Sequence, residues 1–139
     1  DAPVRPDIRS DIWVKLWGNL SFNPISALTG STLDRITREP EARALARQMM
    51  IEGQSIAEAF GTRFDIDVDT RLDQAFKVGP HKTSMLVDLE NGRQMEIDTL
   101  LTGLQELAVL ADRKTPTIDV VATLLRQKAR MLGLYPSGE

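Results

Sequence analysis

Lys15, Asn19 and Asn23 stand four residues apart in the stretch Asp11-Ile-Trp-Val-Lys15-Leu-Trp-Gly-Asn19-Leu-Ser-Phe-Asn23-Pro-Ile-Ser-Ala-Leu28. If this stretch is helical, the 3.6-residue period stacks a cation and two amides in one slowly drifting stripe. Ile12, Trp13, Leu16, Trp17, Leu20, Phe22 and Ile25 fill most of the remaining circumference. A helix this apolar is expected to be mostly buried, so its polar groups must be paired or face a cavity. An unpaired buried polar group costs about 1–3 kcal/mol. One reading is that the stripe lines a binding site. The other is that Lys15 snorkels outward and the asparagines bond local backbone. In a site, a lysine can clamp or protonate an oxygen that is gaining alkoxide charge. Glu96, at a predicted helix start, could fix that lysine or accept a substrate hydroxyl, or could be only a charge favoured by the positive helix end. Ser84 could add a donor beside Asn19 and Asn23 for a carboxylate and hydroxyl, or be only a small packing residue.

The elements that must position these side chains read as helices. Thr29-Gly-Ser-Thr32 breaks the first one, Leu33 to Arg38 is a short element, and Pro40 suits the first turn of the next. From Glu41 to Phe60, Leu45, Met49, Ile56 and Phe60 supply the apolar stripe, with Arg43, Arg47, Glu52 and Glu58 outward. Phe64, Ile66 and Val68 alternate with Asp65 and Asp67 but have no partner strand, which predicts an extended connector. Asp69 is expected to cap a short helix carrying Leu72, Ala75 and Phe76, ended by Gly79-Pro80. A helix through Leu89, a turn at Asn91-Gly92 and an amphipathic helix from near Glu96 follow. After the Lys114–Thr117 turn, the last helix is expected to bury Ile118, Val121, Leu124, Leu125 and Leu132. The chain thus reads as all-α, a single multi-helix domain of about five or six helices spanning residues 1–139.

Composition bounds the chemistry. The 139 residues suffice for one domain with a sizeable core, and 42% hydrophobic with 27% charged residues are globular values. A net charge of −3 argues against a nucleic-acid surface. No run approaches the ~18 apolar residues of a membrane span. With no cysteine there is no disulfide or thiol chemistry, and with His81 as the single histidine no zinc site is expected. The lack of cysteine fits a cytoplasmic protein. No glycine-rich phosphate loop and no GxSxG motif occur, and His81 beside Gly79-Pro80 reads as a loop residue rather than a base. The opening Asp-Ala-Pro-Val-Arg-Pro-Asp reads as cut from a longer polypeptide or as a processed terminus.

Two separated segments carry a resemblance. Asp7-Ile-Arg9 through Lys15-Leu16, then Asn19, Asn23-Pro24 and Ser26-Ala27-Leu28, resembles the start of the C-terminal domain of ketopantoate reductases (2-dehydropantoate 2-reductases). Ser84-Met85-Leu86-x-Asp88, followed by Gly92-Arg93-x-x-Glu96-Ile97-Asp98 and Gly103, resembles that family's second signature. Thr115-Pro116-Thr117 sits where the family has a Pro-Thr-Pro-like turn. The resemblance implies a helical fold like the C-terminal domain of 6-phosphogluconate dehydrogenase, preceded in the full enzyme by an N-terminal Rossmann domain that binds NADPH. It implies reduction of ketopantoate, a 2-oxo acid, to the 2-hydroxy acid on the route to pantothenate. By the same resemblance Lys15 is the catalytic lysine and Glu96 the active-site glutamate, with Asn19, Asn23 and Ser84 contacting substrate. Val87 stands where the family often has Gln, and His81 where many members carry Asn, which leaves other branched 2-oxo acids open as substrates. Without its cofactor domain the chain is expected to be inactive. Two other classes stay in view: a helical dimerisation or interaction module, which could pair with a second copy, and a small-acid binding protein without catalysis.

Overall fold

A computed structural model describes residues 8–136, apart from the side chains of residues 8 and 9. The opening stretch read as a cut or processed terminus, including the Asp7 of the resemblance, lies outside the described residues, as does the end of the chain from residue 137. The stretch carrying Lys15 folds as predicted and extends further, with α1 running Ile8–Thr29. It is followed by α2 (Leu33–Arg38), α3 (Pro40–Ala59), α4 (Val68–Val78), α5 (Ser84–Glu90), α6 (Gly103–Leu110) and α7 (Pro116–Met131). Seven α-helices and no strand occur among the described residues, one more helix than the upper end of the expected count. The short Leu33–Arg38 segment is the addition. The connector over Phe64 and Ile66 is not a strand, as expected.

α1 is the spine, packing against α3, α5 and α7, while α2 packs on α4. From Trp17 onward its apolar side chains are enclosed: Trp17, Leu20, Phe22 and Ile25 are buried with Met49, Met50 and Ile56 of α3 and Ile118 and Leu125 of α7. The Trp17 indole stacks on Phe64 at 4.1 Å between ring centroids, and its N–H donates to the Met50 carbonyl at 2.9 Å. That bond satisfies the one polar atom of a large buried ring. Gly53 of α3 lets Leu20 approach, since a methyl group there would stand 2.8 Å from Leu20 Cδ2. At the far end of α1, the Lys128 ammonium of α7 donates to the Ala27 carbonyl at 2.7 Å, placing a cation at the negative helix end.

Several burial expectations are corrected. Over the first turns of α1 one face packs, with Ser10 buried and Trp13 against the core, and the other is open, with Ile12 58% exposed. Leu124 and Leu132 are 54% and 55% exposed, and Leu45, Phe60 and Phe76 are exposed too; Phe60 and Leu132 stand at the C-caps of α3 and α7, where the helices end. Glu52, expected outward, is buried at 4% exposure. Its carboxylate accepts from the Thr117 N–H at 3.1 Å and the Ile118 N–H at 3.0 Å. It thereby caps α7, whose own N-cap residue Thr115 makes no side-chain cap. Asp67, not Asp69, caps α4: its carboxylate accepts from the Thr70 N–H at 2.7 Å, the interaction that holds its pKa below the usual range. Asp69 instead pairs with Arg47 of α3 at 3.1 Å.

Candidate functional site

Asn19 and Asn23 face outward from the enclosed part of α1, half-buried, with no hydrogen-bond partner for either amide among the described residues. Local backbone does not absorb them. Opposite stands the start of α5. Thr83 caps that helix by accepting from the Leu86 N–H at 3.2 Å, and its hydroxyl also bonds Ser26 of α1. Ser26 is tied in turn to the Asn23 carbonyl at 3.0 Å. This chain of contacts places Ser84, the first residue of α5, across from Asn23. The third wall comes from the segment ahead of α6, where Glu96 accepts from the Thr99 hydroxyl at 3.1 Å. Here the helix opens with a π-helical turn, Asp98–Thr102, in which the Gly103 N–H bonds the Asp98 carbonyl. Such wide turns recur at functional sites because they re-aim the side chains they carry.

Together Leu16, Asn19, Asn23, Ser84, Met85, Asp88, Glu96, Thr99 and Leu100 line a cleft of about 300 Å³. Three elements distant in sequence thus bring two amides, two hydroxyls and two carboxylates onto one concave surface with Leu16, Met85 and Leu100 as apolar walls. Polar groups on an apolar frame suit a small polar molecule. A larger, shallower concavity of about 730 Å³ lies over the connector, between Gln54 and Asp67, and contains none of these residues.

Lys15 is placed differently. It lies one turn before Asn19, exposed, and is not among the residues lining the cleft. The expectation that burial would force it into a pair or against a cavity is not met, because Lys15 lies with exposed Ile12 on the open face of α1 while Trp13 and Leu16 pack against the core. Glu96 is exposed as well, and no ion pair between it and Lys15 occurs among the described residues. Among those residues no group of histidines and carboxylates could hold a metal ion.

The segment carrying Glu96 is braced from behind. The Tyr135 hydroxyl donates to Asp98 at 2.6 Å, and the Thr102 hydroxyl does so at 2.7 Å. The Tyr135 bond, then that of Thr102, holds the Asp98 carboxyl below its usual pKa, and the same carboxylate raises Tyr135. Asp98's contribution is present above the unfolded carboxylate pKa and is lost as pH falls through its depressed folded value. That of Tyr135 is present below the unfolded phenol pKa and is lost as pH rises through its raised folded value. The brace is therefore expected to hold across neutral pH and to loosen at both extremes. Tyr135→Phe should speed amide exchange around residues 98–102 at pH 7 while changing global stability little. Equal exchange in both proteins would count against it.

Residues 7–129 match the family described as ketopantoate reductase PanE/ApbA C terminal. The chain belongs to that family. It is 63% identical over 134 residues to a 2-dehydropantoate 2-reductase of Mesorhizobium japonicum, covering 96% of this chain and 41% of the relative. Its fold is similar to the crystal structure of 2-dehydropantoate 2-reductase from Geobacter metallireducens, with a TM-score of 0.81 and 31% identity over 88% of this chain and 42% of that one. A dimeric ketopantoate reductase from Staphylococcus aureus gives a TM-score of 0.76 and 28% identity over 94% of this chain and 46% of that one. The chain spans less than half the length of each of these relatives. The all-α architecture expected from the sequence is that of this ketopantoate reductase C-terminal family.

Within this family member, Asn19, Asn23, Ser84 and Glu96 line one cleft, and Lys15 stands outside its wall. Asp88 and Thr99 were missed as lining residues. Asp88 pairs with Arg93 at 3.0 Å, and both residues had been read only as parts of a motif. Arg71, which lines an adjoining compartment, was also missed, because an arginine in a polar helix carries no local signal. No described helix is long and apolar enough to cross a membrane.

Proposed function

We propose that the chain is the helical part of an NADPH-dependent 2-dehydropantoate 2-reductase, reducing ketopantoate to pantoate. The observation that carries this reading is the gathering of Asn19, Asn23, Ser84 and Glu96 in a cleft with three apolar walls, in a chain of this family. Ketopantoate carries a carboxylate, a carbonyl, a hydroxyl and a branched carbon. The amides and Ser84 can donate to its oxygens, Glu96 can accept from its hydroxyl, and Leu16, Met85 and Leu100 can cover its methyl groups. Lys15 serves as the electrostatic clamp and proton donor for the carbonyl oxygen as it becomes an alcohol.

A nicotinamide cofactor, when bound, supplies the hydride to the carbonyl carbon. None of the described residues forms a glycine-rich turn between strand and helix that would cradle its phosphates. Its binding is therefore assigned to a Rossmann domain of the same polypeptide. Docking of that domain over the open face at the start of α1 would cover Ile12 and enclose Lys15, strengthening its field on the carbonyl. The chain by itself is then inactive. A second copy is also part of this reading, seated on the apolar outer face formed by exposed Val120 and Leu124. Sedimentation of the full enzyme as a monomer would remove that element.

The test is a reductase assay on the polypeptide containing both domains, following NADPH oxidation with ketopantoate and other branched 2-oxo acids. Rapid oxidation with ketopantoate alone is expected. Turnover only of another 2-oxo acid would keep the chemistry and change the substrate. No turnover of any acid, with NADPH still bound, would overturn the reading and favour an interaction module.

A further inference from the structure

Arg71 of α4 lies across α1. Its guanidinium carbon stands 5.5 Å from the centre of the Phe22 ring. A methyl group on Gly18 would come within 2.4 Å of its Nη2. A glycine inside a helix is unfavourable by roughly 1 kcal/mol relative to alanine, and here the bare backbone is what admits the guanidinium. The carboxylates nearest Arg71 on its own helix are engaged elsewhere: Asp69 pairs with Arg47 at 3.1 Å and Asp73 with Arg43 at 2.9 Å. No carboxylate pairs with Arg71 among the described residues. Burial lowers its pKa, as expected for a cation that has lost water without gaining an anion, and an arginine stays charged nonetheless.

The guanidinium lines a compartment of about 280 Å³ whose walls include Phe22 and His81, together with Asn19, Asn23 and Ser84. Those last three also line the cleft described above, so the two spaces share one polar wall. No carboxylate lines the Arg71 side, whereas Asp88 and Glu96 line the other. The charge is thus divided across the wall, with an unneutralised cation on one side and two carboxylates on the other.

We propose that the Arg71 compartment is an anion subsite that receives the carboxylate of the 2-oxo acid, with Arg71 determining specificity for acids over neutral ketones. This rests on the reductase reading above. A planar guanidinium holds a carboxylate by two parallel N–H bonds, and the flanking amides and Ser84 complete the donor set. The rest of the acid then extends toward Glu96, whose charge repels a carboxylate and accepts a hydroxyl. One anion fixed at one end orients the substrate.

Kinetics of Arg71→Met and Arg71→Lys in the two-domain enzyme test this. For Arg71→Met the KM for the 2-oxo acid should rise about tenfold to a hundredfold, as expected for loss of a charge-assisted hydrogen bond. The KM for NADPH and the kcat should change little. Arg71→Lys, which keeps the charge, should recover part of the loss. With the neutral 2-oxo amide of the same skeleton, the wild-type and Arg71→Met enzymes should have equal kcat/KM, a result that mere misfolding would not give. An unchanged acid KM, or a rise in the NADPH KM instead, would overturn the proposal, the latter by giving Arg71 to a phosphate. Calorimetric titration with pantoate reads the subsite without turnover. Weaker binding to Arg71→Met supports it, and equal affinity or no binding to the wild type overturns it. Absence of reduction in the wild-type enzyme tells against the reductase reading separately.

Discussion

Lys15→Ala in the two-domain enzyme is expected to lower kcat by about 100-fold or more, the usual contribution of a positioned proton donor. The KM for NADPH should stay near its wild-type value, because the proposed role is at the carbonyl oxygen. Stability should stay too. Lys15 is exposed and makes no hydrogen bond or ion pair among the described residues, and surface changes of this kind usually lie within about 0.5 kcal/mol. The combination is diagnostic: a large kinetic loss at an unchanged melting temperature. A buried structural lysine would give the reverse pattern. Stopped-flow kinetics with ketopantoate, alongside thermal melts of the same samples, would decide. Turnover within threefold of wild type would remove Lys15 from the chemistry.

Glu52→Ala is expected to be strongly destabilising. The α3 side chain is almost wholly buried against the start of α7, and no cation pairs with it among the described residues. Its charge is held by the Thr117 and Ile118 N–H groups and by the Gln48 amide at 3.2 Å. Those backbone donors form the positive end of α7, and Pro116 ahead of them has no N–H to satisfy. Removing the carboxylate leaves the buried Ile118 N–H and the part-buried Thr117 N–H without an acceptor, at about 3 kcal/mol in all. For a domain of this size that corresponds to a fall in Tm of roughly 10 °C. Glu52→Gln keeps an acceptor and gives up only the charge, so about 1 kcal/mol is expected. Thermal unfolding of both variants by circular dichroism checks the pair. A Glu52→Ala melt within about 2 °C of wild type would mean α7 finds another cap.

Glu52 also shows where sequence reasoning stops. On the helical period it lies beside Met49 (i−3) and Ile56 (i+4), at the edge of the buried stripe and on the other side of α3 from Arg43 and Arg47, but a carboxylate there gives no local sign of the donors that receive it. Its partner is the start of a helix 65 residues later. Arg71 was hidden for the same reason: its setting is made by Gly18 and Phe22 of α1. Leu132 is the converse, an apolar residue in phase with the buried stripe of α7 but standing at its C-cap, where it is exposed, while Leu124 lies about 100° around the helix from Leu125 and faces out. Periodicity says which residues share a face, not whether something packs on it.

The sequence by itself determined that the chain is all-helical, because apolar residues recur at helical spacing and Gly and Pro fall between those runs. It also placed Lys15, Asn19 and Asn23 on one stripe, since their four-residue spacing leaves no other arrangement on a helix. The meeting of that stripe with Ser84 and Glu96 was decided by tertiary structure, through the packing of α1 on α5 and the π turn ahead of α6. So was the split within the stripe, where Asn19 and Asn23 enter the cleft and Lys15 stands outside it. The physical reason is that local spacing sets the direction of a side chain around its helix axis, while the depth at which it lies depends on where the neighbouring helices end.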